Sequence, residues 1–499
     1  MIRKAKFMKY YSTRDKNEMK FDAAQVIKQG LAVDGGLFVP EEIPALTEAE
    51  VLSLCNMSYP ERAAYVLGKF LSDYSPEELA ADCSAAYCET SFMGGAAPLK
   101  KVTNSLFSLE LWHGPTAAFK DMALQIMPRL LSRALVKTGE KNTALILVAT
   151  SGDTGKAALE GYKDIDRIKI MVFYPVDGVS KVQKLQMATQ TGSNVNVCAI
   201  KGNFDDAQNG VKKIFSDAEA KAKLLENSYV LSSANSINWG RLAPQIVYYI
   251  SAYCDLLSAG EISYGETVNV CVPTGNFGNI FAAYIAKKMG LPLGKLVCAS
   301  NSNNVLTEFL RTGTYDRNRD FHLTMSPSMD ILISSNLERL LYFSSDATET
   351  AAYMAELAKN GKYTVSDTIK QIIDENFVGY FANEEETAAT LKKFYEKDGY
   401  LADTHTSVAL NCAEKYMAET GDTRKMIVAS TASPYKFASD VYEAITGKEA
   451  SAETGALDDL SVYTSTEITL PLRNLSEREV RFSKVIDADK MLDEVYSFM

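Results

Sequence analysis

From about residue 100 onward, one pattern recurs along the chain: an apolar run ends in a turn rich in Gly, Ser, Thr and Asn, and a segment of helical periodicity follows. The clearest units have apolar runs at 144–149, 267–272 and 425–429, followed by polar turns at 150–155, 273–279 and 430–434. Strands that alternate with helices at this spacing predict parallel sheets with helices on both faces. In such sheets, ligands bind at the carboxyl ends of the strands, which is where these turns lie.

Two further runs, 168–174 and 194–200, are predicted as buried strands, and 205–225 is predicted as one amphipathic helix. Ahead of this region, Met93-Gly-Gly-Ala-Ala-Pro98 interrupts any regular pattern, because glycine and proline disfavour the interiors of helices and strands. The chain has 499 residues, which is too long for one ordinary core. We therefore predict an N-terminal domain at 1–98 and a second, larger region at 99–499.

Charge and composition exclude several classes of function. The formal net charge of −11 disfavours binding to nucleic acid or to an anionic membrane, so an anionic ligand would need a locally positive site. The eight cysteines include no C-x-x-C pair, and no His/Asp/Glu cluster has the spacing of metal ligands, so no metal site is predicted. No signal-like apolar segment opens the chain and no apolar run could span a bilayer, so we expect a cytoplasmic protein.

The turn Thr274-Gly-Asn-Phe-Gly-Asn279 lies between a predicted buried strand and a predicted helix. Glycines let the backbone approach a ligand, and the free N–H groups at a helix N-terminus attract an anion such as phosphate. A dinucleotide-binding fingerprint is excluded, because Phe277 and Ile280 occupy the positions of its second and third glycines. A tight turn that binds nothing remains the alternative.

A second polar turn, Ser151-Gly-Asp-Thr-Gly-Lys156, resembles a P-loop only superficially. Thr150 and Ala157 stand where a Walker A motif requires glycine and a hydroxyl residue, so nucleotide triphosphate binding is not expected. The turn is suited to a carboxylate or phosphate at a helix N-terminus, but its Asp and Thr are equally suited to capping the helix. The residues alone do not decide between these two interpretations.

Helical periodicity begins directly after His113-Gly-Pro-Thr-Ala-Ala-Phe-Lys-Asp121, with Met122, Ile126 and Leu130 on one face. This places Lys120 at the start of a helix, among small and apolar neighbours. The positive end of the helix dipole and partial desolvation would both lower the pKa of this lysine, and a free amine is the form that makes Schiff bases. The alternative is an ordinary solvated lysine, and position alone does not exclude it.

Several motifs, in the same order along the chain, resemble those of the threonine synthase family. They are the lysine segment 113–121, the turns at 149–155 and 273–280, Asn235-Ser-Ile-Asn-Trp239 followed by Arg241, Pro327-Ser-Met-Asp-Ile331, and the N-terminal segments 11–15 and 34–40. The resemblance extends from about residue 5 to about residue 447 and is vague over the last fifty residues. The order of the motifs makes it specific, since no single motif would suffice.

This resemblance implies an α/β fold of the fold-type II (tryptophan synthase β-like) class, with two three-layer α/β lobes of parallel sheets plus an N-terminal domain. The region 99–499 would then be catalytic, with pyridoxal 5′-phosphate as the cofactor between the lobes and Lys120 as the catalytic residue that holds it as a Schiff base. The other implied site residues are a cofactor-binding set, Gly275, Asn276, Phe277, Gly278, Asn279 and Thr431, and a substrate-binding set, Ser151, Gly152, Asp153, Thr154, Asn235, Asn238 and Arg241.

Each part of this set has an implied role. The loop 275–279 would hold the cofactor phosphate, and Thr431 would face the pyridine nitrogen. The segment 151–154 would face the amino-acid substrate, and Arg241 would suit a phosphate, because the guanidinium fork matches a pair of oxygen atoms. The family usually has histidine two residues after the threonine, where this chain has Ser433.

The implied activity converts O-phospho-L-homoserine and water to L-threonine and phosphate, by γ-elimination followed by β-addition of water. The partner would be this small-molecule substrate, with neither nucleic acid nor a membrane involved. A related phospholyase, or a threonine or serine dehydratase, is the nearest alternative. A non-catalytic binding protein on the same fold is a second one, which the intact lysine motif disfavours. The sequence leaves open whether the protein is a monomer or a weak dimer.

Overall fold

The computed structural model describes residues 7–150, 152–177, 179–452 and 454–499. The N-terminal domain is mainly helical, with one antiparallel pair of short strands. Its elements are β1 (Tyr10–Ser12), α1 (Ala23–Gln29), β2 (Phe38–Pro40), α2 (Glu48–Leu54), α3 (Tyr59–Phe70) and α4 (Pro76–Ala86). Capping boxes, in which a Ser or Thr and a Glu three residues later satisfy orphan N–H groups, start α2, α3 and α4.

Helices and strands then alternate along the rest of the chain. The first half contains β3 (Leu99–Lys101), β4 (Leu106–Glu110), α5 (Asp121–Leu124), α6 (Met127–Lys137), β5 (Thr143–Ala149), α7 (Asp153–Tyr162), β6 (Ile168–Pro175), α8 (Lys181–Ala188), β7 (Val195–Lys201), α9 (Phe204–Ser216), α10 (Ala218–Glu226), β8 (Tyr229–Ser232) and α11 (Trp239–Ser258). The second half contains β9 (Val268–Pro273), α12 (Gly278–Lys288), β10 (Leu293–Ser300), α13 (Val305–Thr312), β11 (Thr314–Asp316), α14 (Leu337–Ser344), α15 (Ala347–Asn360), β12 (Lys362–Thr364), α16 (Asp367–Asn376), β13 (Phe377–Phe381), α17 (Glu384–Asp398), α18 (Thr404–Thr420), β14 (Met426–Ser430), α19 (Ala438–Thr446), α20 (Gly455–Thr464), β15 (Val485–Asp487) and α21 (Met491–Phe498).

Two sheets form the two lobes. The larger has the order β13-β10-β9-β14-β4-β3 and is parallel except for the antiparallel edge pair of β3 and β4. The smaller has the order β15-β7-β6-β5-β8 and is parallel throughout. The predicted α/β fold with parallel sheets and an N-terminal domain is therefore confirmed, whereas the boundary at residue 98 stays a prediction.

The strands that the sequence located best are the central ones. β9 and β14 are buried along their whole length, because a strand in the middle of a parallel sheet is covered on both faces. The long helix α11 is buried on nearly every side, and it packs against α3 of the N-terminal domain, α5 and α12. It therefore lies at the junction of the domain and the lobes.

The prediction of one helix at 205–225 is wrong. The helix is interrupted at Asp217. The carboxylate of Asp217 accepts hydrogen bonds from the N–H groups of Glu219 and Ala220 and so caps the start of α10. Helical periodicity continues across the break, with Ile214 and Leu224 both buried, which explains why the pattern resembled a single helix. Among the described residues, no helix is both long and apolar enough to cross a membrane.

Candidate active site

Lys120 lies where the carboxyl ends of two neighbouring strands meet. β4 and β14 are parallel neighbours in the larger sheet, so the segments that follow them leave the sheet side by side. The N–H of Phe119 donates to the carbonyl oxygen of Thr431 at 2.8 Å, and the N–H of Ser433 donates to the carbonyl oxygen of Ala117 at 3.1 Å. The sheet topology thus brings Lys120 and Thr431 together, although 311 positions separate them in the sequence.

The side chain of Lys120 is buried, with 9% of the residue exposed. Its Nζ lies 3.5 Å from Oδ2 of Asp153 and 3.5 Å from Oγ of Ser328. Burial lowers the pKa of Lys120, the carboxylate of Asp153 opposes this effect, and the ammonium group of Lys436 and the guanidinium group of Arg241 lower the pKa further. The environment therefore favours the free amine, which is the nucleophilic form.

The helix after Lys120 differs from the prediction. α5 has only four residues, and α6 begins again at Met127 with Pro128 in its first turn. A four-residue helix has little macrodipole, so its terminus contributes little at Lys120. The pKa of Lys120 is lowered by burial and by the neighbouring cations.

Asp153 is a hub of hydrogen bonds at the start of α7. Its Oδ1 accepts from Nε2 of Gln183 at 2.8 Å and lies 3.0 Å from Nζ of Lys436, while Oδ2 faces Lys120. Burial alone would raise the pKa of Asp153, but the charges of Lys436 and Lys120 hold it well below its usual range. A buried carboxylate is therefore kept ionised beside the Lys120 amine.

The loop after β9 has the geometry of an anion cradle. The carbonyl oxygen of Gly275 accepts from Oγ of Ser334 at 2.7 Å, and that of Asn276 accepts from the backbone N–H of Asn336 at 3.0 Å and from its side-chain amide at 3.0 Å. Among the described residues, none accepts a hydrogen bond from the backbone N–H groups of residues 275–278. Phe277 adopts a left-handed backbone (φ 61°) at the start of α12. The carbonyl oxygens of Gly275 and Asn276 thus already accept hydrogen bonds within the protein, whereas the N–H groups of residues 275–278 remain available to a ligand.

Asn279 is oriented by two tyrosines. Its Oδ1 accepts from the hydroxyl of Tyr248 at 2.6 Å and from that of Tyr249 at 2.5 Å. Its buried Nδ2 has no hydrogen-bond partner among the described residues. An unpaired buried donor costs free energy unless a ligand accepts from it, so this amide fits a group bound next to the loop.

Ser328 joins the cradle to the lysine. Its Oγ lies near Lys120, and a Cβ on Gly275 would lie only 2.8 Å from its carbonyl oxygen. His405 fixes Ser328 from behind: its Nε2 accepts from the N–H of Ser328 at 3.1 Å, and its Nδ1 lies 3.0 Å from Oδ1 of Asp403. A buried amine and an anion cradle that share one neighbour fit an aldehyde cofactor that carries a phosphate group.

The predicted substrate-binding residues differ from one another in burial and in hydrogen bonding. Arg241 is buried, burial lowers its pKa to about 10, and its Nε has no partner among the described residues. Gly152 starts α7, where a Cβ would lie 2.4 Å from the side chain of Gln183, and its N–H donates to Oγ1 of Thr150. Thr154 is partly buried, and Ser151 lies outside the described residues.

Two of the predicted substrate residues have contacts that point to structural roles. Asn238 is fully buried; its Oδ1 accepts from the N–H of Gly240 to cap α11, and its Nδ2 donates to the carbonyl of Ile27. Asn235 is exposed, and its Oδ1 accepts from the N–H of Ser236. These contacts do not bring either side chain to Lys120.

Sequence reasoning missed Lys436 and Gln183, and it assigned no role to Ser328 or His405. The available signal for Lys436 was its place between Tyr435 and Phe437 directly after a strand end, which indicates a buried position. Ser433, at the position where the family usually has histidine, is fully buried and its hydroxyl lies 2.5 Å from that of Thr469. That side chain therefore contacts the C-terminal segment.

Three family models match the chain, and the second and third of these matches overlap at residues 406–431. They are described as threonine synthase N terminus (residues 9–87), pyridoxal-phosphate dependent enzyme (95–431) and threonine synthase, C-terminal (406–497). The second of these covers more than half of the chain and includes Lys120 and the loop 275–279.

Similar proteins carry related names. The chain is 41% identical to threonine synthase-like 1 of Homo sapiens over 442 residues, which is 86% of this chain but 58% of that protein, so it spans little more than half the length of this relative. It is 37% identical to threonine synthase of Pseudomonas aeruginosa, covering 88% of this chain and 91% of that protein. Among solved structures, PLP-bound threonine synthase from Brucella melitensis has a TM-score of 0.87 at 37% identity (98% of this chain, 99% of that one), and threonine synthase from yeast has 0.88 at 33% (98% of each).

Proposed function

The chain belongs to the threonine synthase family of pyridoxal-phosphate-dependent enzymes, and from that premise we propose that it converts O-phospho-L-homoserine and water to L-threonine and phosphate. The observation that carries the proposal is the buried Lys120 amine, which shares Ser328 as a neighbour with the anion cradle at 275–279. Lys120 would attach the cofactor, the cradle and Asn279 would hold its phosphate, and Thr431 would bind its pyridine nitrogen.

The chemistry that the cofactor would supply when bound is an electron sink for the negative charge left when the α-carbon of the substrate loses a proton. Lys120 moves the protons. Burial lowers its pKa and so favours the unprotonated amine, which can take a proton from carbon, and burial also keeps bulk water from competing. Asp153 is a poor alternative base, because its neighbouring groups, with the charge of Lys436 first among them, outweigh the effect of burial and hold the pKa of this carboxyl group well below its usual range.

Arg241 is the best candidate for the substrate phosphate among the predicted residues. Its guanidinium is buried, one nitrogen donates to the carbonyl oxygen of Ala234, and Nε is unpaired among the described residues. The charge of Arg241 also lowers the pKa of Lys120, which is consistent with a substrate that contacts both side chains. A dianionic phosphate would compensate a cation that is otherwise costly to bury.

The deciding experiment supplies O-phospho-L-homoserine to the purified chain and measures threonine, phosphate and 2-oxobutyrate. We expect threonine and phosphate in equal amounts. Formation of 2-oxobutyrate instead would identify a phospholyase or dehydratase, and a protein that takes up no pyridoxal 5′-phosphate would refute the proposal altogether. The Lys120→Ala variant should lose covalent cofactor attachment, measured by mass spectrometry after borohydride reduction, whereas Lys156→Ala, which removes another buried lysine, should retain it.

A further inference from the structure

Lys436 is a buried cation that the proposed chemistry does not use directly. It lies in the 3₁₀ turn Pro434–Phe437 after β14, and its side chain has no exposed surface. Its ammonium donates to the carbonyl oxygen of Thr116 at 2.7 Å and lies 3.0 Å from Oδ1 of Asp153. It thus connects the turn after β14, the lysine segment and the start of α7.

These contacts divide the two oxygens of Asp153 between different partners. Lys436 and Gln183 occupy Oδ1, so the carboxylate cannot rotate freely, and Oδ2 is left facing Lys120 at 3.5 Å. Thr116, the other partner of Lys436, also orients the residue after Lys120, because its N–H and hydroxyl donate to the carboxylate of Asp121 at 2.8 and 2.7 Å. Lys436 therefore acts on the surroundings of Lys120 from two sides.

We propose that Lys436 is a positioning residue that sets the proton affinity of the Lys120 amine, by neutralising Asp153 and by fixing its free oxygen against that amine. The inference rests on the proposed function only in taking Lys120 as the cofactor lysine. Without Lys436, Asp153 would be a buried carboxylate with Lys120 as its remaining lysine partner, and it would hold a proton on that amine more strongly.

The other charged groups around Lys120 do not replace this effect. Arg241 of α11 is a second cation, but its donor contact is to the carbonyl of Ala234 and not to Asp153. Asp121 has its carboxylate bound by Thr116, and burial raises its pKa to about 6. Lys156 of α7 is paired with Glu160 at 3.0 Å. Lys436 is the cation that contacts Asp153 directly opposite Lys120.

The test measures how fast the cofactor-free, full-length chain captures pyridoxal 5′-phosphate at different pH values, from the absorbance of the bound cofactor. Capture joins the amine nitrogen to the aldehyde carbon with loss of water, so its rate follows the free-amine fraction and its pH midpoint reports the pKa of Lys120. We expect Lys436→Met to raise the midpoint by about one pH unit or more, and Asp153→Asn to lower it. Lys156→Met, which removes a buried lysine that belongs to the same helix as Asp153 but does not contact its carboxylate, should leave the midpoint unchanged.

The double variant Lys436→Met/Asp153→Asn removes both charges of the pair, so neither member of the pair is left as a buried charge without its partner. It therefore provides a measurement even if the single variant Lys436→Met does not fold. Its midpoint should lie above that of Asp153→Asn alone, because the direct repulsion from Lys436 is also removed. Equal midpoints in these two variants, or an unshifted midpoint in folded Lys436→Met, would overturn the role of Lys436. Failure of the unaltered chain to capture the cofactor would instead contradict the proposed function.

Discussion

Gly275 is required by close packing and not by an unusual backbone angle. A Cβ at this position would lie 2.8 Å from the carbonyl oxygen of Ser328 and 3.4 Å from Cα of Met329. The Gly275→Ala variant should therefore push Ser328 away and deform the cradle, at an overpacking cost of about 1–3 kcal/mol. If this cost falls on the bound state, the Kd for pyridoxal 5′-phosphate should rise by about tenfold or more, as measured by fluorescence or absorbance titration.

Gly68→Ala is the matched control for this prediction. Gly68 lies within α3, and a Cβ there would meet Cδ1 of Leu79 at 3.6 Å, an ordinary van der Waals distance. Alanine favours a helix interior over glycine, so this variant should keep the affinity for the cofactor and be at least as stable as the unaltered chain. An unchanged Kd in Gly275→Ala would show that the cradle does not hold the cofactor phosphate.

At the scale of single elements, the sequence predicted strands better than helices. The apolar runs at 144–149, 267–272 and 425–429 correspond to β5, β9 and β14 within a residue or so, because strands buried on both faces are continuous apolar runs. Helix breaks were missed at 125–126 and at Asp217, since a short break need not shift the apolar face. Pro128 was the readable signal for the first break, because proline is tolerated mainly in the first turn of a helix.

The candidate site was predictable to a similar degree. Lys120, the loop 275–279 and Thr431 follow strand ends, and parallel topology gathers strand ends at one edge. The contacts of Lys436 and Gln183 with Asp153 were not predictable, because they join side chains 283 and 30 positions apart in the sequence and follow no local spacing rule. The motif at 151–154 predicted a polar site, but it did not predict that the carboxylate of Asp153 would form ion pairs with Lys120 and Lys436.

We expect the N-cap at Asp217 to stabilise α10 by about 1 kcal/mol. Its Oδ1 accepts from the N–H groups of Glu219 at 2.9 Å and Ala220 at 3.0 Å, so Asp217→Ala leaves two donors of α10 without this partner. Hydrogen exchange of the α10 amides should accelerate about fivefold. Lys221→Ala, an exposed change on the same helix, is the control. Equal exchange in both variants would mean that α10 is held by packing and not by its cap.

At the scale of the whole molecule, the C-terminal residues complete the smaller lobe. β15 adds an edge strand beside β7, and α21 packs against α9, with Met491 and Val495 fully buried. Thr466 and Thr469 bond to Tyr435 and Ser433, which follow a strand of the larger sheet. The sequence suggested no role for this segment, because pairing between β7 and a strand almost 300 residues later leaves no local pattern.

Arg339 ties the N-terminal domain to the site. Its guanidinium is fully buried and donates to the carbonyl of Phe38 at 3.0 Å, to the carbonyl of Ile237 at 2.6 Å and to the side chain of Asn336. Phe38 belongs to β2, Ile237 precedes the cap of α11, and Asn336 holds the cradle through the carbonyl of Asn276. One side chain therefore connects the N-terminal domain, the segment that precedes α11 and the anion cradle.

This geometry predicts that lysine cannot replace Arg339. Lysine keeps the charge but presents a compact ammonium in place of a planar fork, so at least one buried acceptor would lose its donor, at about 1–3 kcal/mol for each. The Arg339→Lys variant should unfold several degrees lower and show faster hydrogen exchange both in β2 and at the amide of Asn336, which donates to the loop before α12. Arg481→Lys is the control, since Arg481 also donates to backbone carbonyls, those of Gln190 and Gly192, but is exposed. If exchange accelerated in β2 alone, the N-terminal domain would be docked independently of the cradle; acceleration in both places is the result that a shared guanidinium requires.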